Sequence, residues 1–384
     1  MRILAVGGGS GGHVTPVAAV CNELRKLHPD AEIRFWCDQK FYQQAFATMV
    51  AVDGRVKVEP IVAGKLRRYH KLSVVSQLLQ FRTIVLPNII DGFKLVVGFV
   101  QSVGKLLAWR PDVVFSKGGF VCLPVGIAAK LLKIPLVIHD SDAHPGLTSR
   151  ILSRWADVIA TGAPLKHYNY PKAKTHYIGI PVAATSKPLS AARQRATKQE
   201  LGFDVHEPLV VITGGGLGAA AINEAVIASL EDLLQFTSVA LVAGKHHADE
   251  LSERAGKRAN LQIHGYLSPD SMQRLLGAAD VVVSRAGATT LLELAALAKP
   301  SIIIPNENLT GGHQLKNAAV YRQAKAIVLL DDATLKQAPL SLVDAINATL
   351  LNREALKRLS KNIHTFAKPD AAKDMARLIV GAIK

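Results

Sequence analysis

Two short apolar strands each run directly into a glycine-rich turn and then into a helix-periodic apolar stretch. Arg2-Ile3-Leu4-Ala5 leads into Val6-Gly7-Gly8-Gly9-Ser10-Gly11-Gly12-His13, and Leu209-Val210-Val211-Ile212 leads into Gly214-Gly215-Gly216-Leu217-Gly218-Ala219. Such turns bring backbone N–H groups and a helix N-terminus to close range of an anion. Because the two units lie about half a chain apart, the sequence predicts a duplicated Rossmann-like architecture, two facing halves with a ligand in the cleft between them.

Strand and helix patterns alternate along all 384 residues. Strands are expected at 2–6, 32–37, 56–61, 113–116, 135–138 and 157–160. In the second half they are expected near 208–213, 238–242, 261–264, 280–283, 301–304 and 326–329. Helical patterns follow near 217–234, 246–255, 268–277, 290–298 and 313–324. Alternation of this kind predicts an α/β chain with two doubly wound parallel sheets. The stretch from Pro171 to Pro188 reads as the linker. The three cysteines, Cys21, Cys37 and Cys122, suit neither a disulfide framework nor a zinc site and point to a reducing cytosol. No signal peptide is expected ahead of the first strand.

The net charge of +16 is uneven. Residues 1–180 hold 23 Lys and Arg against 11 Asp and Glu, and the rest 23 against 19. Between 64 and 110 there are eight basic residues and one acid, Asp91, interleaved with apolar side chains. That pattern suits an anionic membrane surface or a polyanionic lipid headgroup, and equally a solvated helical face over an ordinary core. Pro87, Asp91, Lys94 and several glycines make 83–107 a poor transmembrane span. No nucleic-acid motif is visible, and nucleic acid is not an expected partner.

Several constellations carry chemistry. Gly7, Gly9 and Gly12 fit G-x-G-x-x-G with Asp38 after the next strand, so a dinucleotide site is one reading of the first turn. His13, where the turn enters its helix, and Pro16 in what reads as the first helical turn favour another. A transferase that deprotonates a hydroxyl beside a pyrophosphate needs an imidazole there. Gly118-Gly119 after Val113-Val114-Phe115 is either a second anion turn or a packing turn. In Ser284-Arg285-Ala286-Gly287-Ala288-Thr289-Thr290-Leu291-Leu292-Glu293, Thr290 and Glu293 read as a capping box, or Glu293 as an acceptor for a ribose diol. His139-Asp140-Ser141-Asp142 contains a D-x-D, which can hold a divalent metal; hydrogen bonding to a substrate is the preferred reading, and no metal is expected.

These pieces, in this order, resemble glycosyltransferase family 28, with its GT-B fold. The resemblance rests on Gly8 to Val14, Gly64-Lys65-Leu66-Arg67-Arg68, Gly118-Gly119-Phe120-Val121, Gly146-Leu147-Thr148, Ser284 to Glu293, and Gln314 with Asn317. It departs at Asp140, Ser141 and Asp142, at Gly216-Leu217, at Ala183 and at His313. The resemblance implies an inverting, metal-independent and cofactor-free transfer of N-acetylglucosamine from UDP-N-acetylglucosamine to lipid I, a polyprenyl-pyrophosphate glycolipid, at the cytoplasmic membrane face. It implies an acceptor and membrane domain at 1–182, with helix 369–384 packing back on it, and a UDP-sugar domain at 183–368. His13 is then the first choice for general base, with Asp140 and Asp142 as rivals. Gly215, Gly216, Leu217, Gly218 and Ala219 would face the diphosphate together with Ala288, Thr289 and Thr290. Glu293 would take the ribose, Tyr266 and Leu267 would flank the uracil, and His313, Gln314, Ser10, Gly11 and Gly12 would complete the donor contacts. Gly9, Gly118, Gly119, Phe120, Lys65, Arg67 and Arg68 would hold the acceptor. Open alternatives are a transferase for another membrane lipid, a UDP-N-acetylglucosamine epimerase on the same architecture, and a non-catalytic nucleotide-binding subunit.

Overall fold

The computed structural model describes residues 1–8, 11–65, 80–181, 187–215, 219–307 and 312–383. The chain divides into two compact units, Met1–Ala184 with Lys368–Lys384, and Thr185–Ala367.

The first unit is built on seven strands: β1 (Arg2–Val6), β2 (Glu32–Asp38), β3 (Lys57–Ile61), β4 (Val113–Ser116), β5 (Leu136–Asp140), β6 (Val158–Thr161) and β7 (Thr175–Tyr177). All neighbours pair in parallel, in the order β3-β2-β1-β4-β5-β6-β7. Continuous apolar strands such as Ile3-Leu4-Ala5-Val6 are buried because helices cover both faces of a parallel sheet. One layer contains α1 (Gly11–Leu27) and the C-terminal helix Ala371–Gly381, whose Met375, Ala376 and Ile379 join the core cluster under β1, β2 and β4. The other contains the helices Leu86–Trp109 and Cys122–Leu131 against Leu4, Val6 and Val114.

The second unit has six parallel strands, β8 (Leu209–Thr213), β9 (Ser238–Val242), β10 (Leu261–His264), β11 (Val281–Ser284), β12 (Ser301–Ile303) and β13 (Val328–Leu329), in the order β10-β9-β8-β11-β12-β13. In both sheets the strand order reverses beside the first strand, between β1 and β4 and between β8 and β11. Ligands of open α/β sheets bind outside the carboxyl ends of the strands at such switch points. Each glycine turn of the sequence lies at one of them.

Four local expectations need correction. The supposed linker contains β7, which pairs with β6. The helix expected over 217–234 is two, Ala220–Ala228 and Leu230–Leu234, parted at Ser229. Pro16 is the sixth residue of α1 and so lies in its second turn, where it removes the donor that the Gly12 carbonyl would receive. The segment read as a broken apolar span is one helical run, Phe81–Trp109, of 29 residues, with mean hydropathy 1.6 over its most apolar 18 residues. Pro87 is tolerated because it sits in the first turn of the α-helix. Gly98 is required there, since a Cβ would stand 1.9 Å from the Val62 carbonyl oxygen. By length and composition this run suffices to cross a membrane, but one face is seated on the unit. Ile84, Asp91, Gly98, Ser102, Leu106 and Trp109 are buried at helical spacing. Leu86, Ile89, Ile90, Phe93, Val96, Val97 and Val100 form an exposed apolar stripe.

Candidate active site

At the first switch point, α1 begins at Gly11 and its opening N–H groups have no intrahelical acceptors. His13 is the third residue of that helix. Its ring lies against the second glycine turn: a Cβ on Gly118 would be 3.6 Å from His13 Cε1. Gly118 and Gly119 both have left-handed φ, 102° and 91°, and a Cβ on Gly119 would come within 2.4 Å of the Gly8 carbonyl oxygen. The two turns are therefore in backbone contact, which only glycine permits. Phe120 is half-buried beside them. Gly9 and Ser10 lie outside the described residues, as do Arg67 and Arg68. Lys65 is exposed, next to Gly64, which packs on the Asp91 carbonyl.

The floor of this site is charged. Lys117 ends the run from β4, is 1% exposed, and donates from Nζ to Ser141 Oγ. From the end of β5, Asp140 is buried and accepts from Tyr170 Oη at 2.8 Å and from Ser149. Tyr168, stacked on Tyr170, donates to the Asp142 carbonyl at 2.7 Å. His139 Nε2 is 2.7 Å from the Gly179 carbonyl oxygen. Burial, and next the Lys117 cation, lower the His13 pKa to about 4. Burial, and next the charge of Asp142, raise Asp140 to about 7. Lys117 itself is lowered by burial to about 8. His13 is thus neutral at physiological pH, with Nδ1 buried and lacking a partner among the described residues. It is a base by form, while Asp140 titrates where a base of matched strength should.

Asp38, the acid of the dinucleotide reading, is buried and caps the following turn by accepting from Phe41 N at 3.3 Å. A Cβ on Gly8 would stand 2.6 Å from its Oδ2, so it is turned to packing rather than to a ribose. Asp140 and Asp142 belong to no group of three or more His, Cys, Asp or Glu side chains placed for a metal among the described residues.

At the second switch point the charged side chains are Glu293 and a buried ion pair, Arg285 with Asp332. Gly215 has φ 79° and donates to Thr213 Oγ1 at 3.2 Å. Gly216, Leu217 and Gly218 lie outside the described residues. Ala219 is buried in the core, leaving only its N–H for a ligand. The helix after β11 is Ala288–Ala296, with extended Gly287 as its N-cap and no side-chain cap. Thr290 is therefore not an N-cap, and the capping-box reading fails. The N–H groups of Ala288, Thr289 and Thr290 are left without a side-chain cap, the kind of terminus at which anions can bind. Glu293 lies in the second turn of that helix, where burial alone raises its pKa to about 7.

The loops after β11 and β12 are knitted together. Arg285 Nη1 donates to the Ile304 carbonyl at 3.1 Å and to Asp332 at 2.5 Å. Asn317 Nδ2 donates to the Ala286 carbonyl, and Gln314 Oε1 accepts from Asn306 N at 2.8 Å. His313 opens its helix beside them, half-buried. Tyr266 and Leu267 follow β10, which β9 and β8 separate from β11; Tyr266 is 54% exposed, with Lys245 Nζ 5.1 Å from its ring. Sequence reasoning gave Lys117, Tyr170 and Arg285 no individual role. The signal for Lys117 was its place, a cation between an all-apolar strand and Gly-Gly.

Family models agree with this architecture unit by unit. The glycosyltransferase family 28 N-terminal domain matches residues 3–161 and the family 28 C-terminal domain residues 209–375. The chain belongs to glycosyltransferase family 28. It is 32% identical over 386 residues, 100% of both chains, to an Exiguobacterium protein named UDP-N-acetylglucosamine--N-acetylmuramyl-(pentapeptide) pyrophosphoryl-undecaprenol N-acetylglucosamine transferase. A crystal structure of Acinetobacter baumannii MurG matches with TM-score 0.72 at 23% identity, over 99% of each chain. A UDP-GlcNAc 2-epimerase from Neisseria meningitidis, bound to UDP-GlcNAc, matches with TM-score 0.66 at 13% identity, over 99% of this chain and 100% of that one. At those identities the two structures speak to fold alone, and the fold is GT-B.

Proposed function

We propose that this protein is an inverting hexosyltransferase that moves N-acetylglucosamine from UDP-N-acetylglucosamine to undecaprenyl-pyrophosphoryl-N-acetylmuramoyl-pentapeptide (lipid I), forming lipid II. The observation that carries this reading is full-length kinship with a transferase so named. The chemistry of both switch points supports it. The acceptor hydroxyl attacks the anomeric carbon from the face opposite UDP; a C–O bond forms, the C1–O bond to the diphosphate breaks, and the hydroxyl proton passes to the base. His13 is placed for that proton, with Asp140 and Asp142 behind it. The acceptor pyrophosphate lies on the N–H groups of the first helix and the Gly118-Gly119 turn. Charge developing on UDP is met by the backbone dipoles after the Gly215 turn and at the start of Ala288–Ala296, so the resident dipoles serve where a metal otherwise would. Glu293 accepts from the ribose hydroxyls, and Tyr266 and Leu267 border the base.

The acceptor also needs a lipid surface, and the exposed stripe on Phe81–Trp109 supplies a place to meet one. Phe93 is 70% and Val100 63% exposed, with Arg82, Lys94 and Lys105 on the same helical run. A helix with one face seated and the other apolar lies in the membrane interface at the cytoplasmic side. An epimerase working on a soluble nucleotide sugar has no use for such a stripe, which counts against that reading despite the shared fold.

The test is UDP release from UDP-N-acetylglucosamine in EDTA, with and without a short-chain lipid I analogue. Acceptor-dependent release that survives chelation is expected. Conversion of the donor without any acceptor would favour the epimerase, and silence with bound donor would favour another acceptor.

A further inference from the structure

We propose that Lys117 is a positioning residue of the acceptor site: a buried cation that anchors the turn after β5 through Ser141 and holds it at the exit of β1 beside the His13 ring. The proposal rests on the glycosyl-transfer reading above.

The placement of Lys117 is specific. It ends the run from central β4, its backbone N donates to the Val6 carbonyl at 2.8 Å, and Gly118 next to it lies against the His13 ring. Its Cβ is wedged against β1's exit, 3.5 Å from where a side chain on Gly7 would begin. The ammonium hydrogen-bonds a neutral hydroxyl, Ser141, while two acidic side chains of that same turn face it electrostatically. A buried cation costs several kcal/mol in desolvation, and one hydroxyl does not offset that. The offset comes from Asp140 at the end of β5, Asp142 in the turn after it and Cys122 on its helix. The rings of His13 on α1 and His139 on β5 also face the cation, and Tyr168 and Tyr170 stand behind Asp140.

The consequence has a definite sign for either base. Lys117 lowers the proton affinity of both His13 and Asp140, whereas Asp142 raises both. Deleting the cation therefore makes either base harder to deprotonate, and deleting the Asp142 charge makes either easier. A lysine that merely filled space would move neither.

The experiment compares full-length wild type with Lys117→Gln, Lys117→Met, Lys117→Arg and Asp142→Asn. The readout is kcat/KM for the lipid I analogue as a function of pH, with UDP affinity and melting temperature as folding controls. Removing the charge should move the acid limb upward by about one pH unit or more, a roughly tenfold loss of rate on that limb. Lys117→Arg should restore the limb, and Asp142→Asn should move it down. A neutral Lys117 variant that loses rate uniformly with its limb in place overturns the proposal. If neither neutral variant folds, an Asp142→Asn limb that stays or rises overturns it instead. Absence of acceptor-dependent UDP release in wild type defeats the parent reading alone. The positioning claim is then read from the NMR titration of His13, which should shift upward in Lys117→Gln.

Discussion

The two switch points share a backbone plan and differ in charge. At the β1/β4 point, His13, Lys117 and Asp140 crowd into a buried cluster beside half-buried Asp142, and burial moves all three from their ordinary proton affinities, His13 and Lys117 downward and Asp140 upward. At the β8/β11 point the groups we propose to meet the donor are backbone N–H donors and one desolvated carboxylate, Glu293, shifted by burial alone. Groups that set one another's protonation are what proton transfer needs; uncapped helix dipoles and a single acceptor are what holding a nucleotide needs. The duplicated fold has thus kept its geometry and divided its chemistry.

The largest expected effect probes that division directly. His13→Ala should lower turnover by ~10²–10⁴, with UDP affinity, measured by calorimetry, unchanged. A variant with near-normal turnover would move the base to Asp140. The wild-type pH profile sharpens the choice, because an acid limb near pH 4 belongs to His13 and one near pH 7 to Asp140.

Glu293→Gln should act in the other unit. Losing hydrogen bonds to a charged acceptor costs about 1.5–3 kcal/mol, so the donor should bind on the order of ten- to a hundredfold more weakly, with acceptor binding untouched. In wild type, the carboxylate form is the one that accepts both ribose hydroxyls. UDP affinity should therefore rise as pH is raised through about 7, where Glu293 ionises. Calorimetry from pH 5.5 to 8.5 tests this, and a flat profile in wild type would remove Glu293 from the ribose.

Much of this was legible in the sequence, and the misses share a cause. Apolar runs such as Leu209–Thr213 and Val281–Ser284 announce buried parallel strands, and Gly118-Gly119 needed only its strand to be placed. β7 was missed because a three-residue edge strand among prolines has no period to read. The capping box failed because Gly287 in an extended conformation starts the helix before Thr290, and no side-chain spacing reveals a backbone cap. The continuity of Phe81–Trp109 was hidden because its glycines read as breaks, when Gly98 is there to admit the Val62 carbonyl. Lys117 was overlooked because a lysine beside two glycines reads as a surface turn. Its burial is a property of β5 and α1 closing over it, which is tertiary information.

A smaller effect concerns the surface that sets the units apart. Phe93→Glu with Val100→Glu, both on the exposed stripe, should abolish sedimentation with anionic vesicles. Rate with a water-soluble acceptor should change less than about twofold, since surface substitutions away from packed features usually stay within ~0.5 kcal/mol. Equal losses in both assays would mean that the stripe belongs to the acceptor site rather than to a membrane.

The smallest effect is on stability, and it runs against function. Glu293 has a folded-state pKa of about 7 against an ordinary 4.5. The sign follows from linkage: its contribution is fully present below pH 4.5 and is lost as pH rises through about 7, because burial opposes the charge. Glu293→Gln removes that loss. Thermal unfolding of the variant should match wild type near pH 4.5 and exceed it at pH 8, with each kcal/mol gained worth roughly 2–4 °C in a unit of this size. Saturating UDP should narrow the gap, because only wild type gains the ribose hydrogen bonds that offset the desolvated carboxylate. A Gln variant less stable than wild type at pH 8 without nucleotide would mean that Glu293 is held by partners of its own, and the contrast between a cluster of mutually coupled acids and bases and a single carboxylate shifted by burial alone would lose its second half.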